Sequence, residues 1–249
     1  MSNPFDLTGK RILVTGASSG IGRAIAVECS KMGAELVLLG RNELRLIETK
    51  EQLKGDLNHT YFSVDFGAHV NFDDLCKSIS IIGPIDGLVN CAGIIERKPL
   101  KFIESNKFRE LIEVNLISGI ELIKKLIKSK LINVSGSIVS ISSVAKDYAA
   151  LGNIMYMATK GALNSASRGL ALELSRNKIR VNTIEPGLIV SNLTRGISEL
   201  ELNENLALYP LGRFGNPSDV AFGCIYLLSD ASSWITGTTI RIDGGLTLK

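Results

Sequence analysis

Seven short apolar runs recur along the chain: "RILVTG", "AELVLLG", "TYFSVDF", "DGLVNCAG", "GSIVSISS", "IRVNTIEPG" and "TTIRIDGG". Segments with helical patterning separate them. The runs are largely continuous in Val, Ile and Leu instead of alternating with polar residues, which marks strands covered on both faces. Strands of that kind, each followed by a helix, wind into a parallel sheet with helices above and below. The predicted fold is an α/β doubly wound sheet of seven mainly parallel strands with helices on both faces. No repeat, low-complexity linker or shift in composition divides the 249 residues, so residues 1–249 are expected to form one domain.

Several classes of function are disfavoured by composition. No apolar stretch approaches the roughly 20 residues a membrane-spanning helix needs. The first residues, "MSNPFDLTGK", lack the apolar core of a signal peptide. A cytoplasmic protein with no membrane partner is the expectation. A net charge of +3 is too small to suggest nucleic-acid binding, and Lys124, Lys125, Lys128 and Lys130 read as a solvated helix face. Cys29, Cys76, Cys91 and Cys224 are scattered with no Cys-x-x-Cys spacing, which predicts reduced core thiols, no disulfide and no metal site. His59 and His69 lie in polar connecting sequence with no nucleophile motif beside them, so both are expected at the surface and a histidine-based triad is not expected.

In a doubly wound sheet, ligands bind beyond the carboxyl ends of the strands, where the strand order reverses. After the first strand, "TGASSGIGRA" places Gly16, Ser18, Ser19, Gly20, Ile21 and Gly22 in a turn that opens a helix. Glycines there let the backbone approach a pyrophosphate, and a helix N-terminus supplies free N–H groups and a favourable dipole. The second strand ends "LLGRN", where an NAD-preferring Rossmann-type domain would carry an acidic residue for the ribose hydroxyls. Arg41 stands there instead, with Arg45 a weaker helper, and a guanidinium suits the 2′-phosphate of NADP(H). Asp65, with Phe66 after it, ends the third run and is placed to meet the adenine. The fourth run ends in Asn90, Cys91, Ala92 and Gly93, small enough to lie against a cofactor.

The stretch "NIMYMATKGAL" sets Tyr156 and Lys160 four residues apart, on one face of a helix. Alone, the pair reads first as a tyrosine beside a surface lysine. The functional reading has Lys160 stabilising the phenolate and lowering the proton affinity of Tyr156, which makes a proton donor for work near neutral pH.

Taken together, these residues resemble the short-chain dehydrogenase/reductase superfamily over nearly the whole chain. The resemblance rests on Thr15–Gly22, the Asn-x-Ala-Gly at Asn90–Gly93, Asn115, a serine before the Tyr-x-x-x-Lys, and Pro186-Gly187, all in the family's order. The C-terminal "PLGRFGNPSDVAFGCIYLLSDASSWITGTTIRIDGG" is most similar to the 3-oxoacyl-acyl-carrier-protein reductase branch. The resemblance implies a Rossmann-type domain whose nucleotide-binding half spans about 8–115 and whose catalytic half spans about 116–249, with a substrate lid at about 190–215. It assigns Tyr156 as proton donor, Lys160 as its activator and a ligand of the nicotinamide ribose, Ser143 as the carbonyl-orienting hydroxyl and Asn115 as holder of a relay water. Ser142 competes with Ser143, but strand alternation sends adjacent hydroxyls to opposite faces and the family spacing to the tyrosine favours Ser143. Pro186, Gly187, Ile189 and Ser191 would border the nicotinamide.

Some positions depart from the family pattern. Cys91 replaces an asparagine, Ser191 replaces a threonine, and Ser19 stands where NADP-using relatives often carry a basic residue, leaving Arg41 to hold the phosphate. Arg176, Lys178 and the lysine run lie near the regions that would dock an acidic acyl-carrier protein without falling on the family positions. The implied reaction is NADPH-dependent reduction of a 3-oxoacyl thioester to the 3-hydroxyacyl thioester. The alternatives are another ketone, such as a sugar or secondary metabolite, and a catalytically silent NADPH-binding regulatory protein. The family commonly assembles as homotetramers or homodimers, and the same is expected here.

Overall fold

The computed structural model describes residues 3–55, 57–68, 70–190 and 206–248. Its strands are β1 (Arg11–Thr15), β2 (Glu35–Gly40), β3 (Thr60–Ser63), β4 (Ile85–Asn90), β5 (Ile132–Ile141), β6 (Arg180–Pro186) and β7 (Thr239–Ile242). They form one sheet in the order β3-β2-β1-β4-β5-β6-β7, and every pairing is parallel. The helices are α1 (Gly20–Lys31), α2 (Glu43–Glu51), α3 (Phe72–Ile82), α4 (Ser105–Ile112), α5 (Ser118–Lys128), α6 (Ile154–Leu174) and α7 (Pro217–Leu228).

Alternation along each strand splits the apolar runs between two cores. Ile12 and Val14 of β1 pack with Leu36 and Leu38 of β2 against Ile25 and Cys29 of α1 and Val220 and Cys224 of α7. Leu13, Val37 and Leu39 face the other way, onto Leu75 and Ile79 of α3 and Leu122 and Leu126 of α5. Leu13, Val37 and Leu39 on the second face and Ile12 and Val14 on the first are all buried, and each buried aliphatic side chain contributes on the order of 2 kcal/mol. The chain runs outward from β1 to β3 and then returns to place β4 on the other side of β1. The order therefore reverses between β1 and β4, and a crevice opens beyond the carboxyl ends of β1, β4, β5 and β6.

Four expectations change in detail. β3 stops at Ser63, so Asp65 lies in the following turn, where its carboxylate accepts the Gly67 N–H at 2.9 Å. Phe66 is buried and stacks on Phe72 at 6.4 Å between ring centroids, so its ring belongs to the core. β5 ends at Ile141, which leaves both Ser142 and Ser143 beyond the strand. His59 is buried, not at the surface: its Nδ1 accepts the Leu36 N–H at 3.1 Å and its Nε2 lies 3.2 Å from the Lys54 carbonyl. The ring ties the loop before β3 to β2, a structural use that local sequence polarity does not reveal. His69 and Ser191 lie outside the described residues. Among the described residues no helix is long and apolar enough to cross a membrane.

Candidate active site

Two turns meet where the strand order reverses. Gly16 leaves β1 with φ +67°, a left-handed conformation that glycine adopts freely, and a Cβ there would lie 3.1 Å from the Ala92 Cα. At Gly22, in the first turn of α1, a Cβ would lie 2.3 Å from the Gly16 carbonyl oxygen. Between these turns stands Thr15, whose buried hydroxyl accepts the N–H groups of both Cys91 and Ala92 at 2.9 Å. Asn90 is buried with its side chain against α5, where a Cβ on Gly119 would come within 2.2 Å of Nδ2. That position makes Asn90 a brace between β4 and α5.

The N-terminus of α1 is built for an anion. Asn42 and Asn71 cap α2 and α3 with side-chain oxygens, whereas Ser19 makes no side-chain cap on α1 and the first turn holds no acidic residue. Its N–H groups and positive dipole end are left to a ligand. Ser18 lies against Gly40, where a Cβ would stand 3.2 Å from the serine oxygen. The first turn's Ile21 packs on the core. Arg23 is committed, bonding the Ser18 carbonyl at 2.8 Å and Glu48 at 3.0 Å. Arg41, exposed just past β2, has no ion pair among the described residues. Glycine cradle, uncapped helix and uncommitted guanidinium together fit a dinucleotide bearing a 2′-phosphate.

The opposite wall is carried by α6. Lys160 is buried and donates to the Ile141 carbonyl at 2.8 Å, and its nitrogen stands 5.6 Å from the centre of the Tyr156 ring. No carboxylate pairs with it among the described residues. Burial pushes the ammonium down to about 8 and, as the largest influence, pushes the Tyr156 phenol up to about 12. The sequence expectation had Lys160 lowering the phenol. In the protein alone desolvation wins, because the lysine has shed its proton before the tyrosine titrates. The Ser143 hydroxyl and, less strongly, the Arg97 charge ease Tyr156 ionisation.

The adjacent serines separate by partner. Ser142 is buried and donates to the Lys160 carbonyl at 3.1 Å, which fastens β5 to α6. Ser143 caps the short turn Val144–Lys146 by accepting the Ala145 N–H at 3.1 Å, and this places its hydroxyl beside Tyr156. Asn115 sits in a π-helical turn, Glu113–Ile117, between α4 and α5. Such turns interrupt helices at functional sites. Its amide donates to the Ile94 carbonyl at 2.9 Å and to Thr159 Oγ1 at 3.1 Å, and its oxygen accepts the Ile94 N–H at 2.8 Å. Asn115 thus holds the strand-end loop against α6. A Cβ on Gly93 would meet Asn115 Oδ1 at 3.2 Å and Lys160 Nζ at 3.5 Å.

Pro186 ends β6, the Gly187 N–H donates to the Ile242 carbonyl at 2.9 Å, and Ile189 is buried in a bridge to Gly215. Of the expected lid at 190–215, residues 191–205 lie outside the described residues; Tyr209 is buried, and its hydroxyl accepts the Leu188 N–H at 2.9 Å.

Three supports escape sequence reading: Thr15, Thr159 and a charge cluster beside the Ser143 turn. In that cluster Glu185, 1% exposed, pairs with Lys146 at 3.1 Å and Arg241 at 3.0 Å, and Arg241 also meets Asp147 at 2.7 Å. A glutamate inside the buried run "VNTIEPG" is a signal in itself, because a buried carboxylate requires cationic partners.

Comparison with known proteins agrees with this geometry. Residues 16–247 match a family model described as enoyl-(acyl carrier protein) reductase. A 3-oxoacyl-[acyl-carrier-protein] reductase of Rickettsia felis is 34% identical over 97% of this chain and 98% of that protein. An L-xylulose reductase of Caenorhabditis elegans is 35% identical over 97% of each. Among solved structures, one assigned as an NAD(P)-dependent gluconate 5-dehydrogenase of Beutenbergia cavernae, with NADP bound, superposes with a TM-score of 0.93 at 31% identity, covering 99% of this chain and 100% of that one. Another, assigned as a 2-deoxy-D-gluconate 3-dehydrogenase of Agrobacterium tumefaciens and also holding NADP, gives 0.86 at 29% identity over the full length of both chains.

Proposed function

The chain belongs to the short-chain dehydrogenase/reductase superfamily of oxidoreductases, and from that premise we propose that it uses NADP(H) to reduce a ketone to a secondary alcohol. The observation that carries this reading is the convergence of Ser143, Tyr156 and Lys160 across the crevice from an uncapped, glycine-lined helix N-terminus. The bound cofactor supplies the hydride.

The protein's own part is binding and proton handling. Backbone groups from Gly16 to Gly22, Ser18 and Ser19 included, receive the pyrophosphate, and Arg41 grips the 2′-phosphate. The backbone near Asp65 and Phe66 borders the adenine, and Ala92 and Gly93 give the cofactor room at the end of β4. Pro186, Gly187 and Ile189 border the nicotinamide. Ser143 and Tyr156 donate hydrogen bonds to the substrate oxygen, where negative charge develops as hydride arrives. With its phenol pushed up to about 12, Tyr156 stays protonated at physiological pH and is ready to give that proton. Lys160 then stabilises the phenolate as it forms.

A 3-oxoacyl thioester, on an acyl-carrier protein or coenzyme A, is the first substrate reading, supported by the similarity to the 3-oxoacyl-[acyl-carrier-protein] reductase of Rickettsia felis. A polyol or sugar-acid ketone is the second, supported by the L-xylulose reductase and the gluconate dehydrogenase structures. A silent regulatory role is disfavoured by the intact Asn115, Ser143, Tyr156 and Lys160 set. The test is the initial rate of NADPH oxidation with acetoacetyl-CoA, run beside NADH. Turnover preferring NADPH supports the thioester and Arg41 readings together. Cofactor binding without turnover on it moves the substrate to the second class.

A further inference from the structure

We propose that Arg97 selects the substrate of this site, its guanidinium receiving a carboxylate carried by the ketone that Tyr156 protonates. The proposal rests on the ketone-reductase reading and narrows it to oxo acids.

The segment from Gly93 to Lys98 is pinned at both ends. Asn115 grips Ile94 by two hydrogen bonds, and the Lys98 N–H donates to the Gly152 carbonyl at 2.8 Å, in the loop that leads into α6 and Tyr156. Glu96 and Lys98, on either side of Arg97, pair at 3.2 Å. The two pins, at Asn115 and at the loop before Tyr156, hold exposed Arg97 at the rim of the crevice, and its positive charge favours the ionised form of the Tyr156 phenol.

Among the described residues, the acids near this segment are already taken. Lys98 holds Glu104 at 2.6 Å as well as Glu96, and Glu110 pairs with Lys107 at 2.9 Å. Among the described residues Arg97 is exposed and has neither an ion pair nor a side-chain hydrogen bond. An unpaired guanidinium beside a proton donor meets a carboxylate with two parallel, charge-assisted hydrogen bonds. A 3-oxoacyl thioester has no carboxylate near its ketone, its negative charges lying at the distant end of the carrier arm. Arg97 therefore separates the two substrate readings.

The test compares 5-keto-D-gluconate with L-sorbose, which has the same carbon skeleton and a CH2OH in place of the carboxylate. The expected result is a wild-type preference for the acid, with the acid-to-neutral ratio of kcat/KM falling about 30- to 100-fold in Arg97→Gln, chiefly through KM, and less in Arg97→Lys. Equal use of both by the wild type, or an unchanged ratio in Arg97→Gln, overturns the proposal. Reduction of acetoacetyl-CoA with neglect of both sugar ketones also overturns it and leaves the reductase reading standing. Reduction of none of the three removes the reductase reading itself.

Discussion

The ammonium of Lys160 lies 5.6 Å from the centre of the Tyr156 ring, and burial moves the two groups in opposite directions, the lysine down to about 8 and the tyrosine up to about 12. Native Lys160 has lost its proton over a range, from about 8 to 10.5, where the unfolded chain still holds it. The unfolded state binds more protons there, so stability rises with pH across that window, and the full cost of burying the charge is present below it. Tyr156 acts in the opposite sense only above pH 10, where the unfolded phenol ionises first. Urea unfolding of the cofactor-free protein should show the wild type gaining about 2 kcal/mol between pH 7.5 and 9.5 relative to Lys160→Met. Identical pH dependence in the two proteins would show that the ammonium is not desolvated.

Replacing Tyr156 with Phe removes the proton and keeps the ring. Turnover should fall by at least 100-fold, the usual scale for a general acid, while NADPH affinity measured by fluorescence titration changes by less than about threefold. More than a tenth of the activity surviving would assign the proton to another group.

Among the described residues Arg41, at the end of β2, has no ion pair, whereas Arg23 is held by Glu48 at 3.0 Å. Arg41→Asp should reverse the cofactor preference, lowering kcat/KM with NADPH by about 100-fold and raising the ratio for NADH. Unchanged NADPH affinity in this variant would move the phosphate elsewhere.

Gly22→Ala places a methyl 2.3 Å from the Gly16 carbonyl, and the atom it meets is backbone. The turn has to shift, so the variant should lose cofactor binding at least tenfold and lower the thermal midpoint by several degrees, in line with overpacking costs of about 1–3 kcal/mol. Wild-type affinity and melting temperature together would show that the two turns are looser than this geometry.

The strands were readable because a sheet covered on both faces leaves continuous apolar runs, and the glycine turn and Tyr156-Lys160 pair were readable because their function is local in sequence. What escaped reading depends on partners far along the chain. His59 looks polar in its own segment, and only β2 explains its burial. Asn90 looks like a ligand-facing residue until Gly119, a turn of helix away in another element, makes room for it. Strand alternation favoured Ser143 over Ser142, but β5 ends before both, and what sets them apart in the fold is that Ser142 engages the Lys160 carbonyl. The direction of the Tyr156 shift was misread for the same reason: spacing shows proximity to Lys160, whereas the cost of desolvating both groups belongs to the folded interior.

Thr15 has a mechanical consequence. One hydroxyl holds two successive amides of the neighbouring loop, at Cys91 and Ala92, so the two turns are latched to each other just beyond the paired strands β1 and β4. Neither turn can swing outward without releasing both amides at once. The Gly16 turn lies against Ala92, and Gly93, the next residue, borders Lys160. Exchange of the two latched amides with solvent should therefore be a single cooperative event, and seating a nucleotide on one turn should slow it on the other.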